Sequence, residues 1–430
     1  MKTTRYEIRD RRYENIRCVI LAAGLGTRMN TNLPKALHKI GNEMMLERLI
    51  ETVKSSGISH IVVVVGYGSE QVEDILKKYN INTIRQNKLL GSADAVKAAK
   101  RYFTKFTGSL LVLYTDTPLI RKATLKGLIN RHRRSGAACT LLAADVNSPT
   151  GYGRVIRDSS GDIVKIVEEK DATVHEKDMT QINVGAYCFK RKELFDVLAR
   201  IKKNPKKGEF YLTDIIKHFR DRGMPISSYD KCSEEEALGI NSREDLSAAE
   251  KIIRMRKIKQ LMEGGVTFID PETAYIDKKV KIAKDTVVYP SVVIQGEVII
   301  GKNCRIGPFA KIRGKTEIDR NCVIGNFVEV VRSKIGENTK VKHHVYLGDA
   351  YVGNDVNIGA GAITANYDGK RKNRTTIKSR AFIGVGAILI APVKIGEQAV
   401  VGAGSVVTKN KDVPDKATVI GVPARVLRKK

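Results

Sequence analysis

The sequence predicts two folds in one chain: an α/β domain built on a parallel sheet, then a β-solenoid of stacked triangular coils, with one long helix between them. Three observations carry this expectation. From Cys18 to about Val146, apolar runs such as "CVILAA", "HIVVVVGY", "SLLVLYTDTP" and "CTLLAADV" alternate with helical segments such as "MMLERLIETVKSSG" and "SEQVEDILKKYN". Continuous apolar strands separated by helices imply a parallel sheet covered on both faces. The segment "GINSREDLSAAEKIIRMRKIKQLMEGG" then places Ser242 and Asp245 at capping-box spacing and ends at Gly264 and Gly265, so 242–265 reads as a single linking helix.

The third observation is a period of six. Ile276, Ile282, Val288, Ile294, Ile300, Ile306, Ile312, Ile318, Ile324 and Val330 follow one another without a miss. The phase slips by one at Ile335, continues through Val341 and Leu347, and resumes over Ile377, Ile383, Leu389, Ile395, Val401 and Val407. Such a period is neither helical nor a plain strand alternation; three six-residue sides make one triangular coil with its aliphatic residues inward. "ANYDGKRKNRTT", over 365–376, breaks the repeat and is expected to project as a loop, where function tends to sit. The expected organisation is a basic N-terminal extension over 1–17, an α/β domain over 18–241, the helix over 242–265 and the solenoid over 266–430.

The chain has 430 residues, 42% of them hydrophobic and 29% charged, enough for two separate cores. No apolar run approaches the roughly 20 residues of a membrane span, and "MKTTRYEIRDRRYENIR" lacks the apolar segment of a signal peptide. A cytoplasmic location is expected. The six cysteines are scattered without a C-x-x-C pair, so reduced, structural thiols are expected rather than zinc or redox work. Lys and Arg number 76 against 47 Asp and Glu, a net charge of +29. These bases are spread along the chain and no aromatic platform accompanies them, so the reading is solvated surface plus a few phosphate contacts, not nucleic acid.

After the strand "CVILAA", the turn "GLGTRM" offers the backbone N–H groups of Gly24 to Thr27 to an anion. Arg28 and Lys35 add cationic donors, and Pro34 stiffens the segment that presents Lys35. This is not P-loop spacing, and it lacks the third glycine of a dinucleotide fingerprint. A bare turn of this kind is often only a strand-to-helix connection.

The fuller pattern L-A-A-G-x-G-T-R-M followed by P-K resembles the sugar-1-phosphate nucleotidyltransferases. With the solenoid behind it, the chain is similar to the bacterial family of bifunctional N-acetylglucosamine-1-phosphate uridylyltransferases and glucosamine-1-phosphate N-acetyltransferases (GlmU type). Supporting motifs run in order over nearly the whole chain: "LYTDTPL", "TGYGRV", "IVEEKDA", "INVGAYCF", "GEFYLTDII", "GINSREDL", "GNFVEV", "HHVYLGDA", "NIGAG" and "NYDGKRK". The resemblance implies a Rossmann-like nucleotidyltransferase domain, a left-handed parallel β-helix of hexapeptide repeats, and a homotrimer. It also implies a part in UDP-N-acetylglucosamine synthesis for the cell wall.

The same resemblance implies roles for single positions. Leu21, Ala23, Gly24, Gln86, Gly91 and Ser92 would bind UTP, with Gln86 and the "LGSADA" stretch facing the uracil and Arg28 and Lys35 acting on the phosphates. Asp116 and Asn241 would hold Mg2+, and Gly153, Glu168 and Asn183 would bind N-acetylglucosamine-1-phosphate. In the β-helix, His343 would be the catalytic base. Arg313, Tyr346, Asn357 and Lys372 would surround glucosamine-1-phosphate, and Ala360, Asn366, Tyr367 and Ala403 would lie near acetyl-CoA. Blander readings stand beside these: a turn acid at Asp116, a turn residue at Asn183, a solvated charge run at Glu168.

The chemistry fits the residue types. A sugar phosphate has its second ionisation near pH ~6, so its attacking oxygen needs charge neutralisation and alignment rather than a base. An ammonium must lose a proton before it attacks a thioester, which requires a general base. Of the adjacent His343 and His344, strand alternation allows only one to face a site. Some positions depart from the family: Val331 stands for a usual lysine, with Arg332 beside it; the tail "VIGVPARVLRKK" is short; Leu25, Thr115 and "SADA" replace common residues. The alternative readings are a nucleotidyltransferase whose β-helix serves mainly for oligomer assembly, and a noncatalytic regulatory or assembly subunit, whose signature would be loss of the cationic and metal positions Arg28, Lys35, Asp116 and Asn241, all present here.

Overall fold

The computed structural model describes residues 13–204 and 208–427 and divides into two compact units, Met1–Glu250 and Lys251–Lys430. Most of the basic N-terminal stretch, 1–12, lies outside the described residues, as does the end of the tail, 428–430. In the first unit the main path of a nine-stranded sheet runs Ile226–Tyr229, Cys139–Asp145, Gln181–Lys190, Ser109–Tyr114, Ile16–Ala22, Ile61–Val65, Asn82–Arg85. Cys18, Ile20 and Ala22 pack with Val63, Val65, Leu111 and Leu113 on one face; Val19 and Leu21 pack with Val62, Val64, Leu110 and Val112 on the other. Burial on both faces is why these strands read as unbroken apolar runs.

On the main path one strand differs from the expectation of a parallel sheet, and off it the strands Arg154–Arg157 and Ile163–Val167 also pair antiparallel. Gln181–Lys190 runs antiparallel between Ser109–Tyr114 and Cys139–Asp145. The chain reaches it through the hairpin Arg154–Arg157 and Ile163–Val167 and the short helix Val174–Lys177, with no long helix to carry it back across the sheet, as a parallel entry requires.

Beneath this sheet His132 is buried on the helix Lys122–Ser135, its two ring nitrogens each 3.0 Å from a hydroxyl, Thr140 Oγ1 and Ser109 Oγ. Burial, and secondarily the charge of Lys190, lowers its pKa to about 4. The neutral ring therefore supports the fold above the ordinary histidine range, and that support is lost as pH falls from about 6.5 toward 4. Fully expressed, the loss is on the order of 3 kcal/mol. Denaturant midpoints of the first unit between pH 7.5 and 4.5 should fall accordingly, and His132→Gln should flatten the profile; an equally steep profile in that variant would refute the attribution.

The linking helix is Arg243–Glu263, across the division between the units. Its N-terminus is closed reciprocally: Asp245 N donates to Ser242 Oγ at 3.1 Å, and Ser242 N to Asp245 Oδ2 at 2.8 Å.

Among the described residues of the second unit, strands of two to four residues stack into three sheets of ten, eight and seven strands, parallel except for the closing pair Thr418–Ile420 and Arg425–Val426, the arrangement expected of a hexapeptide β-helix. Val288 pairs with Ile306, Ile294 with Ile312 and Ile300 with Ile318, one coil of eighteen residues apart. Ile318 then pairs with Ile335, so the slip in phase is a coil shortened to seventeen. The aliphatic positions of the repeat lie in one continuous buried cluster. A second inward column, absent from the sequence reading, holds Cys304, Cys322, Thr339, Val356, Ala381 and Ala399. Val352 pairs with Ile377, so 366–374 leaves the coil as the expected loop, while Ala365, Thr375 and Thr376 belong to strands. All six cysteines are buried thiols outside any disulfide.

Candidate active sites

The first site forms where the central strands of the first unit end. A cleft of ≈ 380 Å³ is lined by Leu21, Ala23 and Gly24, by Lys35, by Gln86, Gly91 and Ser92, and by Asp116. Eight expected residues from four separate segments therefore share one cavity. Among the described residues, no backbone N–H from Gly24 to Thr27 is taken by a protein acceptor, which leaves the turn free to receive an anion. Gly26 has φ +63°, and a Cβ there would sit 2.9 Å from the Cβ of Lys35, so glycine is required for Lys35 to pass this close. Arg28 is exposed on the short turn Thr27–Met29 and is not among the cleft-lining residues.

Lys35 Nζ lies 2.9 Å from Asp116 Oδ2 and 2.8 Å from Asn241 Oδ1. The backbone holds these partners together: Ile240 N donates to the carbonyl of Asp116 at 2.7 Å, and Asn241 N to Asp245 Oδ2 at 2.8 Å. Among the described residues no three His, Cys, Asp or Glu side chains gather as a metal centre. Two hard oxygens that converge on one cationic point are the sparse set Mg2+ accepts when phosphates and water complete its shell.

Gly153, Glu168 and Asn183 are also neighbours. Asn183 N donates to the carbonyl of Gly153 at 2.8 Å, and a Cβ on Gly153 would lie 3.7 Å from Glu168 Oε2. Glu168 is half-buried and accepts from Thr213 Oγ1 at 2.9 Å; it is not part of a solvated run. Its neighbour Glu169 pairs instead with the fully buried Arg154 at 2.8 Å. Asn183 sits within a strand, its Nδ2 2.7 Å from the hydroxyl of Tyr187. Burial raises the pKa of Tyr114, which also feels the charges of Glu168 and Asp116, so this cluster adjoins the cleft that Tyr114 lines. Sequence reasoning missed Tyr114, Thr213 and Glu209 as site residues; only the motifs "LYTDTPL" and "GEFYLTDII" signalled them.

In the β-helix, both histidines face outward, which corrects the expectation that strand alternation separates them. His343 ends the strand Lys340–His343, whereas His344 turns the corner with φ +50° and stacks on the ring of Phe327 at 4.9 Å. Alternation holds only along extended backbone, and the corner interrupts it. His343 Nδ1 lies 2.5 Å from Asn326 Oδ1. Asn357 is in the same sheet, and Ala360 and Ala403 follow the paired column Ile358, Ile383, Val401. Arg313 and Tyr346 belong to the adjacent sheet, with Arg313 bonded to Glu329 at 2.7 Å. Asn366 is buried against Asp349, Tyr367 is exposed, and Lys372 is exposed and bridges back to Tyr367 in the loop. Val331 is fully buried between Arg313 and Gly348. Arg332 makes a bidentate pair with Asp349 at 2.7 Å, which raises the guanidinium pKa and lowers that of the carboxyl.

Two family models match: the MobA-like NTP transferase domain over 18–216, and the bacterial transferase hexapeptide (six repeats) over 279–314, 297–332 and 374–409. The chain is 42% identical to the bifunctional protein GlmU of Shouchella clausii, over 93% of this chain and 94% of that one. It is 41% identical to that of Carboxydothermus hydrogenoformans, over 94% and 96%. The chain belongs to the GlmU family of bifunctional proteins. GlmU-family enzymes join a uridylyltransferase to an acetyltransferase, and both domain types are present here in that order. No helix among the described residues is long and apolar enough to cross a membrane.

Proposed function

We propose that the β-helix unit acetylates glucosamine-1-phosphate with acetyl-CoA, and that the N-terminal unit then transfers UMP from UTP to N-acetylglucosamine-1-phosphate, releasing pyrophosphate. The observation that carries this reading is the meeting of Lys35, Asp116 and Asn241 at one point of the cleft, from segments far apart in sequence. Asp116 and Asn241 would hold Mg2+, which when bound would neutralise charge on the triphosphate and the departing pyrophosphate. Gly24 and its turn would take phosphate oxygens on backbone N–H groups, and Arg28 and Lys35 would offset the repulsion between the two substrates. Gly153, Glu168 and Asn183 would orient the sugar so that its phosphate meets the α-phosphorus.

In the second unit, Asn326 Oδ1 accepts from His343 Nδ1, so Nε2 keeps the lone pair and would take a proton from the glucosamine amine. Asn357, Arg313, Tyr346 and Lys372 would hold the sugar phosphate, with Ala360, Asn366, Tyr367 and Ala403 beside the coenzyme. Asn357 lies on one face of the prism and Arg313 and Tyr346 on the adjacent one, with Asn366, Tyr367 and Lys372 in the loop, a spread that suits a site completed by a neighbouring copy. Light scattering is expected to give about three times 47.6 kDa; a stable, fully active monomer would contradict the trimer. Such soluble substrates fit a cytoplasmic enzyme.

A second reading draws on Val331 and Arg332: the first offers no cation and the second is committed to Asp349. On that reading the β-helix serves assembly alone. Pyrophosphate release with UTP and N-acetylglucosamine-1-phosphate, and thiol release with acetyl-CoA and glucosamine-1-phosphate, measured separately, decide between them. Both releases are expected; pyrophosphate without thiol establishes the second reading.

A further inference from the structure

Gln86 is buried in the wall of the nucleotide cleft, and both of its amide hydrogens are taken. Nε2 donates to the carbonyl of Gly91 at 3.2 Å and to Asp94 Oδ2 at 2.8 Å. A carbonyl and a carboxylate only accept, so the amide has a single orientation with Oε1 left over. None of the hydrogen bonds among the described residues ends on Oε1.

The frame around this amide is fixed from the backbone. Gln86 N donates to the carbonyl of Val65 at 2.8 Å, at the end of a central strand. Gly91 has φ +102°, and a Cβ there would lie 2.5 Å from the carbonyl oxygen of Phe210, which itself accepts from Ala93 N at 3.0 Å. The acceptors of Gln86 therefore cannot drift with it. Turning the amide over would break a charge-assisted hydrogen bond and set its oxygen against the Asp94 carboxylate.

We infer that Asp94 is a positioning residue that makes Gln86 an acceptor-only reader of the nucleobase. The cleft then selects a pyrimidine whose ring presents N3–H, as uracil does, and rejects cytosine, whose N3 presents a lone pair at that place. This inference rests on the reading that Gln86 faces the base. An amide free to turn pairs with either edge by exchanging its N–H for its oxygen; a locked one leaves cytosine with two acceptors in opposition. Sites built to hydrogen-bond one partner reject the analogue that leaves a buried polar group unpaired.

The test compares kcat/KM for UTP and CTP, with N-acetylglucosamine-1-phosphate as acceptor, in the wild type, Asp94→Ala, Asp94→Asn and Gln86→Ala. The ratio of the two values does not depend on the fraction of folded enzyme, so a less stable variant remains informative. The wild type should favour UTP by roughly 10²-fold or more. Asp94→Ala should lower that ratio roughly tenfold, chiefly by a gain on CTP as the freed amide turns Nε2 toward the ring; Asp94→Asn, which can accept or donate, should fall between. Calorimetric titration with UTP and CTP alone should follow the same order. If both Asp94 variants lose UTP and CTP equally while Gln86→Ala collapses the ratio, Gln86 reads the base and the lock is refuted. If Gln86→Ala leaves the ratio unchanged, the base-facing reading itself fails.

Discussion

Asp116→Ala is expected to lose magnesium-dependent turnover of UTP with N-acetylglucosamine-1-phosphate. Among the described residues Asp116 supplies the carboxylate that meets Lys35 Nζ together with Asn241 Oδ1, and its loss would leave a cation there with the amide oxygen of Asn241. Removing such a ligand costs several kcal/mol of transition-state stabilisation, roughly 10²- to 10⁴-fold in rate. Asp116→Asn keeps the shape and removes the charge, so it should fall nearly as far. Thiol release from acetyl-CoA by the same variants should be unchanged, since the β-helix is a separate compact unit with its own core. Near-normal pyrophosphate release by Asp116→Ala would sink the assignment.

The second large effect belongs to His343. His343→Ala should slow acetyl transfer by roughly 10²-fold or more and leave uridylyl transfer untouched, because the attacking sugar phosphate is already ionised. Raising the pH should partly rescue the variant as more of the amine arrives deprotonated. Asn326→Ala should produce a smaller loss of the same kind, since Asn326 Oδ1 holds the proton on Nδ1 and so leaves Nε2 as the base. His344→Ala should do far less, as its ring stacks on Phe327 at the corner of the coil. A larger loss at His344 than at His343 would reverse the assignment of the base.

The fold was legible because burial writes itself into sequence as periodicity. Strands covered on both faces lose their polar positions, as in Cys18 to Ala22, and a coil of three equal sides repeats its inward aliphatic residue every six. Even the shortened coil was visible, because Ile335 must stay inward although one corner residue is missing. Where the pattern follows another constraint, legibility ends. The antiparallel course of Gln181–Lys190 leaves no trace, since a central strand is equally apolar in either direction. The outward course of both histidines could not be read either, because a left-handed corner residue obeys no alternation.

The sequence by itself determined which chemistry-bearing residues the chain owns and which scaffolds carry them: the glycine-rich turn, Lys35 after its proline, Asp116 at a strand end, and His343 in a regular coil. Only the tertiary structure decided what those residues do to one another. That Lys35 bridges Asp116 and Asn241, that Arg332 is spent on Asp349 beside a buried Val331, and that Asp94 holds the Gln86 amide in one orientation are contacts across 8 to 206 positions. Periodicity records whether a side chain faces inward or outward. A hydrogen bond depends on distances of tenths of an ångström, and these are set by how the backbone of other segments, such as Phe210 against Gly91, packs around it.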